Sequence, residues 1–200
     1  MNVWDRIEES RERCNVLEHP FYQRWSAGEL SADELARYSG QYGRAVRAIA
    51  DMADAIGAAA PHRSDLRRHA AEEAAHVEIW DGFTAAVGGA VDAPATLETR
   101  ECVATWTADD GLVAGLARMY AIESGQPEIS RTKLDGLRDH YGVPEGPGTR
   151  YFELHERLDV EHANQGRRVI EELTGPKDAD AIVAAAESAF AANWRLLDGV

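Results

Sequence analysis

The most informative stretch of this sequence is residues 151–162, which read Tyr-Phe-Glu-Leu-His-Glu-Arg-Leu-Asp-Val-Glu-His. At about 100° per residue in a helix, His155, Asp159 and His162 fall within roughly 60° of one another. Two imidazoles and a carboxylate then project from one stripe over two turns. This donor set suits iron or manganese, because it lacks the thiolates that favour zinc or an iron–sulfur cluster. For this motif alone, the alternative is a polar helix face whose histidines have this spacing by chance.

Two further segments offer partners for the stripe. In the first, either Glu72 or Glu73 can share a metal ion with His76, since the pairs are spaced i, i+4 and i, i+3 on a helix. In the second, Glu123 ends a run of mostly apolar and small residues, where a carboxylate is costly unless it is paired or metal-bound. Three helices with about six ligands suit two ions that share carboxylates inside a bundle.

The sequence therefore predicts a dinuclear centre of two iron ions, or of one manganese and one iron, since oxygen-rich ligation with imidazoles suits these ions. The predicted ligands are Glu72 or Glu73, His76, Glu123, His155, Asp159 and His162. His69 lies two turns before His76 and could reach the site, but a supporting or exposed position is favoured for it.

Length, charge and cysteine content narrow the class of protein. The 200 residues, 44% of them hydrophobic, are enough for one domain, residues 1–200, that encloses a buried site. A net charge of −14 argues against a nucleic-acid surface, because phosphate binding needs clustered Lys and Arg. Neither a signal peptide nor a run of ~20 apolar residues that could span a membrane is recognisable. With only Cys14 and Cys102, we expect a reducing, cytoplasmic location.

Helical patterns cover nearly the whole chain, whereas clean strand alternation is missing. Residues 21–30 are predicted as a connector, because Pro20 biases the preceding chain out of helix. Ser31 and Glu34 form a capping-box signature at the start of the second helix. The predicted fold is an all-α bundle of about seven helices. They cover residues 2–18, 32–57, 64–87, 94–107, 109–124 and, after a break or kink at Pro127, 128–141, then the 151–162 stretch to about residue 173, and 178–197.

The ligand pattern resembles that of the haem-oxygenase-like dimetal oxidases, which are related to the thiaminase and pyrroloquinoline-quinone-synthase folds. In particular, the chain is similar to the group of the chlamydial protein associating with death domains, including its bacterial counterparts. The similarity runs from Leu17 to about Leu173 and includes residues 17–22, 25–30, 76–80 and 151–162. It implies a haem-oxygenase-like fold and an oxygen-dependent synthesis of 4-aminobenzoate for folate, in which the protein consumes one of its own tyrosines.

The resemblance also implies roles for three residues outside the ligand set. Tyr22 stands at the position of the consumed tyrosine, Tyr38 at that of a helper or relay, and Lys133 at that of the amino donor. The chain departs from the family in having Ile122 where a tyrosine precedes the ligand glutamate, and in a shorter interval between the first glutamate and its histidine. As alternatives, the two tyrosines could be core residues and Lys133 could belong to a solvated face.

Three classes of function compete. The leading one is a self-consuming 4-aminobenzoate synthase that uses O2 and an external reductant. A homodimer is one expected assembly of such a protein. The second is a multiple-turnover non-haem diiron oxidase or oxygenase acting on a small amine, amino acid or fatty acid, and the third is a metal-free binding module. An enclosed apolar cavity beside the metals would favour the second class, whereas a space filled by Tyr22 and Tyr38 would favour the first.

Overall fold

The computed structural model describes residues 2–200, and within that range it contains helices and turns but no strand. The all-α prediction is therefore confirmed. The described residues form eight α-helices, one more than the predicted number of about seven, together with 3-10 turns at Val16–Glu18 and Pro176–Asp178. The helices are α1 (Val3–Arg13), α2 (Pro20–Ala27), α3 (Ala32–Ala59), α4 (Ser64–Ala86), α5 (Leu97–Trp106), α6 (Leu112–Asp139), α7 (Arg150–Leu173) and α8 (Ala179–Leu197).

Side chains that bond to the backbone set the first helix boundaries. The predicted capping box opens α3, where the Ser31 hydroxyl accepts a hydrogen bond from the Glu34 amide and the Glu34 carboxylate accepts one from the Ser31 amide. The predicted single helix over residues 2–18 is wrong. It ends at Arg13, because the Asn15 side chain accepts from the Leu17 amide and caps a separate 3-10 turn.

The predicted connector after Pro20 and the predicted break at Pro127 are also wrong. Pro20 occupies the first position of α2, where a helix needs no N–H donor, so residues 21–27 are helical and not a connector. His19 caps this helix, since its Nδ1 accepts from the Phe21 amide at 3.1 Å. Pro127 lies inside α6 without ending it, because it removes only the helical hydrogen bond to the carbonyl of Glu123.

Packing turns the ligand-bearing faces of three helices inward. Helix α7 packs against both α6 and α4, and α3 packs against α4 and α6. The core between them is rich in aromatic side chains, of which Trp25, Trp80 and Tyr38 have no exposed surface. Within residues 2–200, no helix is long and apolar enough to cross a membrane.

Candidate metal centre

Helices α4, α6 and α7 bring seven imidazole and carboxylate side chains to one buried centre. On α4 the spacing is i, i+4, i+7, on α7 it is i, i+4, i+7, and α6 contributes a single glutamate, so each helix uses one face. All seven residues are 8% exposed or less. They are His69, Glu73, His76, Glu123, His155, Asp159 and His162.

The donor atoms form two groups that have Glu73 in common. One atom from each of His69, Glu73, Glu123 and His162 makes the first group, in which all four atoms lie within 4.8 Å of one another. Glu73, His76 and His155 make the second group under the same limit. A carboxylate that belongs to both groups is placed as a bridging ligand of a dinuclear centre would be.

Distances within the groups are those of side chains facing a common space. Glu73 Oε1 is 3.1 Å from His76 Nδ1 and 3.8 Å from His162 Nδ1. Asp159 extends the first group, since its Oδ1 is 3.5 Å from His162 Nδ1. The arrangement therefore places Asp159 beside the first group.

The inward-facing atoms are unusual because they lack hydrogen-bond partners among residues 2–200. Buried polar atoms are normally paired, and leaving them unpaired is costly. Imidazole nitrogens and carboxylate oxygens that converge without partners fit a site for first-row metal ions. The unpaired atoms are His69 Nε2, His76 Nδ1, both Glu123 carboxylate oxygens, His155 Nε2, Asp159 Oδ1 and His162 Nδ1.

The outer nitrogens of two histidines are held by hydrogen bonds. His155 Nδ1 donates to the carbonyl of Tyr151 at 2.7 Å, which leaves Nε2 free to face the centre. Glu72 is the other carboxylate considered as a ligand, and its side chain is 39% exposed. Its Oε2 lies 3.2 Å from His162 Nε2, so Glu72 holds that ring from the outside while Glu73 occupies the centre.

Burial and mutual charge shift the pKa values of the centre. Burial raises the pKa of Glu123 and of Asp159, and it lowers the pKa of His155 to about 4. Burial would also raise the pKa of Glu73, but His69 and His76 outweigh it and lower that pKa. His155 is therefore a neutral imidazole at neutral pH, which is the form that binds a metal ion.

A second buried cluster surrounds Lys133, three turns beyond Glu123 on α6. Its Nζ lies 4.5 Å from the ring centre of Tyr42, 5.4 Å from that of Tyr38 and 5.7 Å from that of Tyr22. The amine has no exposed surface and no hydrogen-bond partner in the described part of the chain. Burial lowers the pKa of Lys133 to about 7, so a large fraction of the amine is neutral near neutral pH.

Tyrosine hydroxyls pair within this cluster. The hydroxyls of Tyr22 and Tyr38 lie 3.4 Å apart and share a hydrogen bond. Burial raises the pKa of both phenols well above its usual range, so both remain protonated. Tyr42, which is not among the predicted site residues, is the nearest of these three tyrosine rings to the amine, and its hydroxyl accepts from Gln126 Nε2 at 3.0 Å. Its i, i+4 spacing from Tyr38 is the signal that could have identified it.

Aromatic rings connect the two clusters. The Tyr151 ring stacks on His155 with centroids 3.9 Å apart, and it contacts Trp80 at 4.8 Å. Trp80 in turn lies 5.0 Å from Tyr42. The chain's own side chains thus occupy the space that leads from the candidate metal centre to Lys133.

Comparison with known proteins agrees with this architecture. The sequence profile of the iron-containing redox enzymes matches residues 40–194, which is most of the chain. The protein belongs to this family of iron-containing redox enzymes. A 4-aminobenzoate synthase from Chlamydia trachomatis is 31% identical over 99% of this chain and 91% of its own length. Another from Nitrosomonas europaea is 30% identical, over 98% of this chain and 88% of its own.

Solved structures of low sequence identity share the fold of this family member. A TenA homologue from Pseudomonas syringae superposes with a TM-score of 0.82 at 18% identity, covering 98% of this chain and 90% of its own. A Shewanella denitrificans domain with a haem-oxygenase-like fold gives a TM-score of 0.80 at 18% identity, over 99% of this chain and 91% of its own. The predicted haem-oxygenase-like fold is confirmed.

Proposed function

We propose that this redox enzyme makes 4-aminobenzoate for folate in an oxygen-dependent reaction that consumes its own Tyr22 side chain. The observation that carries the proposal is the buried amine of Lys133, enclosed by tyrosine rings on the same helix as Glu123. Similarity to proteins named 4-aminobenzoate synthase over nearly the whole chain supports the same product. O2 and an external reductant are the proposed co-substrates.

The proposed centre holds two ions, either two irons or one manganese and one iron. Glu73 is proposed as the first carboxylate in place of Glu72, because Glu73 is common to both donor groups and Glu72 faces outward. When bound, the two ions supply the activation of O2. The proposed ligands are Glu73, His76, Glu123, His155, Asp159 and His162.

The chain's own residues supply the remaining requirements. Tyr22 offers the aromatic ring, and its hydrogen bond with Tyr38 fixes the direction of its hydroxyl. Lys133 offers an amine whose lowered pKa makes it available as a nucleophile. A ring tethered in the same bundle as the oxidising centre reacts intramolecularly, so no separate substrate pocket is needed. The aromatic residues packed around Lys133 exclude water from the reacting groups.

The space around the Lys133 amine is filled by the protein's own tyrosines, which favours self-consumption over a multiple-turnover oxidase. Tyr22 is 2% exposed and Tyr38 is 0% exposed, and both rings face the Lys133 amine. An external amine or fatty acid would have to displace these side chains to reach the same place. The two free cysteines, Cys14 and Cys102, are compatible with the reducing cytoplasm that we propose as the location.

Isotope labelling tests the proposal. Protein made with ring-labelled tyrosine, loaded with iron and manganese, reduced and exposed to O2, should release labelled 4-aminobenzoate at no more than one molecule per chain. Tyr22→Phe should abolish release, and so should Lys133→Arg, because guanidinium stays protonated. Tyr120→Phe is the matched control, since that ring packs against Trp4 at the surface. Unlabelled product, or many turnovers with an added substrate, would contradict self-consumption.

A further inference from the structure

We infer that His69 is a seventh metal ligand, and that it makes the two ion positions unequal. The inference rests on the dinuclear centre of the proposed function, to which it adds a donor and an order of loading. The first position would have His69, Glu123 and His162 with the shared Glu73, whereas the second would have only His76 and His155 with Glu73.

The contact between His69 and Glu123 points to a shared ion. His69 Nε2 lies 2.7 Å from Glu123 Oε1, yet the two atoms do not meet in hydrogen-bond geometry. Neither atom has another hydrogen-bond partner within the described residues. Two ligand-type atoms that lie this close without forming a hydrogen bond are spaced like neighbouring ligands of one metal ion.

Helix geometry places His69 on the same face as the other ligands of α4. His69, Glu73 and His76 follow one another at i, i+4 and i+7, so one stripe carries all three. The His69 ring also approaches the His162 ring, with centroids 4.3 Å apart. With an exposure of 8%, His69 is enclosed in the bundle and is not a surface residue beside the site.

An ion pair between His69 and Glu123 explains the geometry less completely than a shared metal ion does. An ion pair of His69 with Glu123 would still leave the second Glu123 oxygen and His162 Nδ1 unsatisfied among residues 2–200. A cation bound between these atoms of His69, Glu123 and His162 would satisfy all of them.

Unequal donor sets predict stepwise loading. The first position offers two imidazoles and two carboxylates with Asp159 adjacent, while the second offers two imidazoles and one carboxylate. An additional anionic oxygen donor strengthens binding of a hard divalent ion such as Mn²⁺. One equivalent of Mn²⁺ should therefore fill the position that contains His69 before the other position fills.

Titration with Mn²⁺ alone tests the loading order without reference to activity. Free Mn²⁺ is counted by its six-line electron paramagnetic resonance signal as the metal is added to metal-free protein. Wild type should bind two equivalents in a tight and a weaker phase. His69→Gln should lose the tight phase and keep the weaker one, which also shows that the variant is folded. His62→Ala is the control, because His62 is exposed just before α4.

Counting coordinated nitrogens decides the role of His69 directly. Pulsed electron paramagnetic resonance is measured with ¹⁵N-labelled histidine and one equivalent of Mn²⁺ in a His155→Ala background, which removes one imidazole from the second position. Two coupled imidazoles are expected when His69 is present, and one is expected after His69→Gln is added. Two coupled imidazoles in the variant, or an unchanged titration, would overturn the inference and leave the dinuclear centre intact. Wild type that binds fewer than two equivalents would instead contradict the proposed function.

Discussion

At the scale of single residues, Lys133 has the most informative environment. A buried ammonium normally has a carboxylate partner, but the groups around Lys133 Nζ are the faces of aromatic rings. The sequence could place Lys133 ten residues after Glu123, but it could not show its burial. Its neighbours Arg131 and Asp135 are exposed and give the segment the composition of a solvated face. Only the packing of α6 against α2 and α3 distinguishes the two sides of the helix.

The lowered pKa of Lys133 predicts a pH dependence of stability. Burial lowers this pKa from its ordinary value of 10.5 to about 7, so the folded chain binds fewer protons than the unfolded chain between these values. The free energy of unfolding should therefore rise with pH in this window, by up to about 1.4 kcal/mol per pH unit. Below the folded-state pKa, Lys133 is protonated in both the folded and the unfolded chain, so the stability gained at higher pH is lost.

Denaturant unfolding of metal-free protein at several pH values from about 7 to 9.5 measures the slope. The Lys133→Met variant should lack the rise that Lys133 contributes, because methionine fills a similar volume without titrating. The difference between the two proteins isolates Lys133 from other groups that titrate in this range. Equal slopes in wild type and variant would contradict the lowered pKa.

At the scale of helices, α6 joins the two clusters. Four of its polar residues lie on one stripe at i, i+3, i+7 and i+10, and each is 3% exposed or less. These residues are Glu123, Gln126, Ser130 and Lys133. An uninterrupted α6 keeps Glu123 and Lys133 in register, so the continuity of the helix through Pro127 matters for the site.

Close packing of α6 against α2 depends on Gly136. A Cβ built at this position would lie 2.6 Å from Cδ1 of the fully buried Trp25, whose indole also donates to the Lys133 carbonyl at 3.4 Å. Gly136→Ala should therefore destabilise the protein by about 1–3 kcal/mol through overpacking. Gly125→Ala should instead stabilise it by about 0.5–1 kcal/mol, because alanine favours helix.

Chemical denaturation of both variants measures the difference. Gly125 is the matched control, since it lies inside the same helix and its Cβ would meet Ile129 Cδ1 at an ordinary 3.5 Å. A Gly136→Ala variant as stable as Gly125→Ala would show that the two helices can separate at no cost. The packing described for α2 and α6 would then be wrong.

Helix positions follow from the sequence where capping and periodicity agree, and they fail at the two prolines. Pro20 and Pro127 have the same local chemistry but opposite contexts. A proline at the first position of a helix lacks only an N–H that has no acceptor there, so it begins α2. Inside α6 the loss of one hydrogen bond is outweighed by burial of Ile122 and Ile129 on either side. Neither context is visible without the tertiary packing.

At the scale of the whole molecule, the bundle buries three carboxylates and four imidazoles together in one centre. Helical spacing could predict that α4, α6 and α7 each present ligands, because residues on one stripe share a face. It could not choose between Glu72 and Glu73, which lie only 100° apart on the helix. The i, i+7 spacing puts His69 on the same stripe as His76 but two turns away, so the sequence could not show whether the His69 ring reaches the centre.

Metal binding should stabilise the whole bundle. An ion that binds only the folded chain, present at about 100 times its Kd, adds about 2.7 kcal/mol. For a chain of this size that corresponds to a rise in Tm of roughly 5–10 °C. Calorimetry in Mn²⁺ and in chelator measures the shift. His155→Ala should show a smaller shift than wild type, and equal shifts would exclude His155 from the centre.

The central claim is that Tyr22 itself is consumed, and peptide mapping of the spent protein tests it most directly. Metal-loaded protein is reduced, exposed to O2 and digested, and each tyrosine-containing peptide is quantified by mass spectrometry. We predict that intact Tyr22 disappears in a one-to-one ratio with the 4-aminobenzoate released. The peptide with Tyr141, whose hydroxyl donates to the Trp25 carbonyl at 2.9 Å outside the lysine cluster, should remain unchanged. Release of 4-aminobenzoate with Tyr22 fully intact would contradict the account.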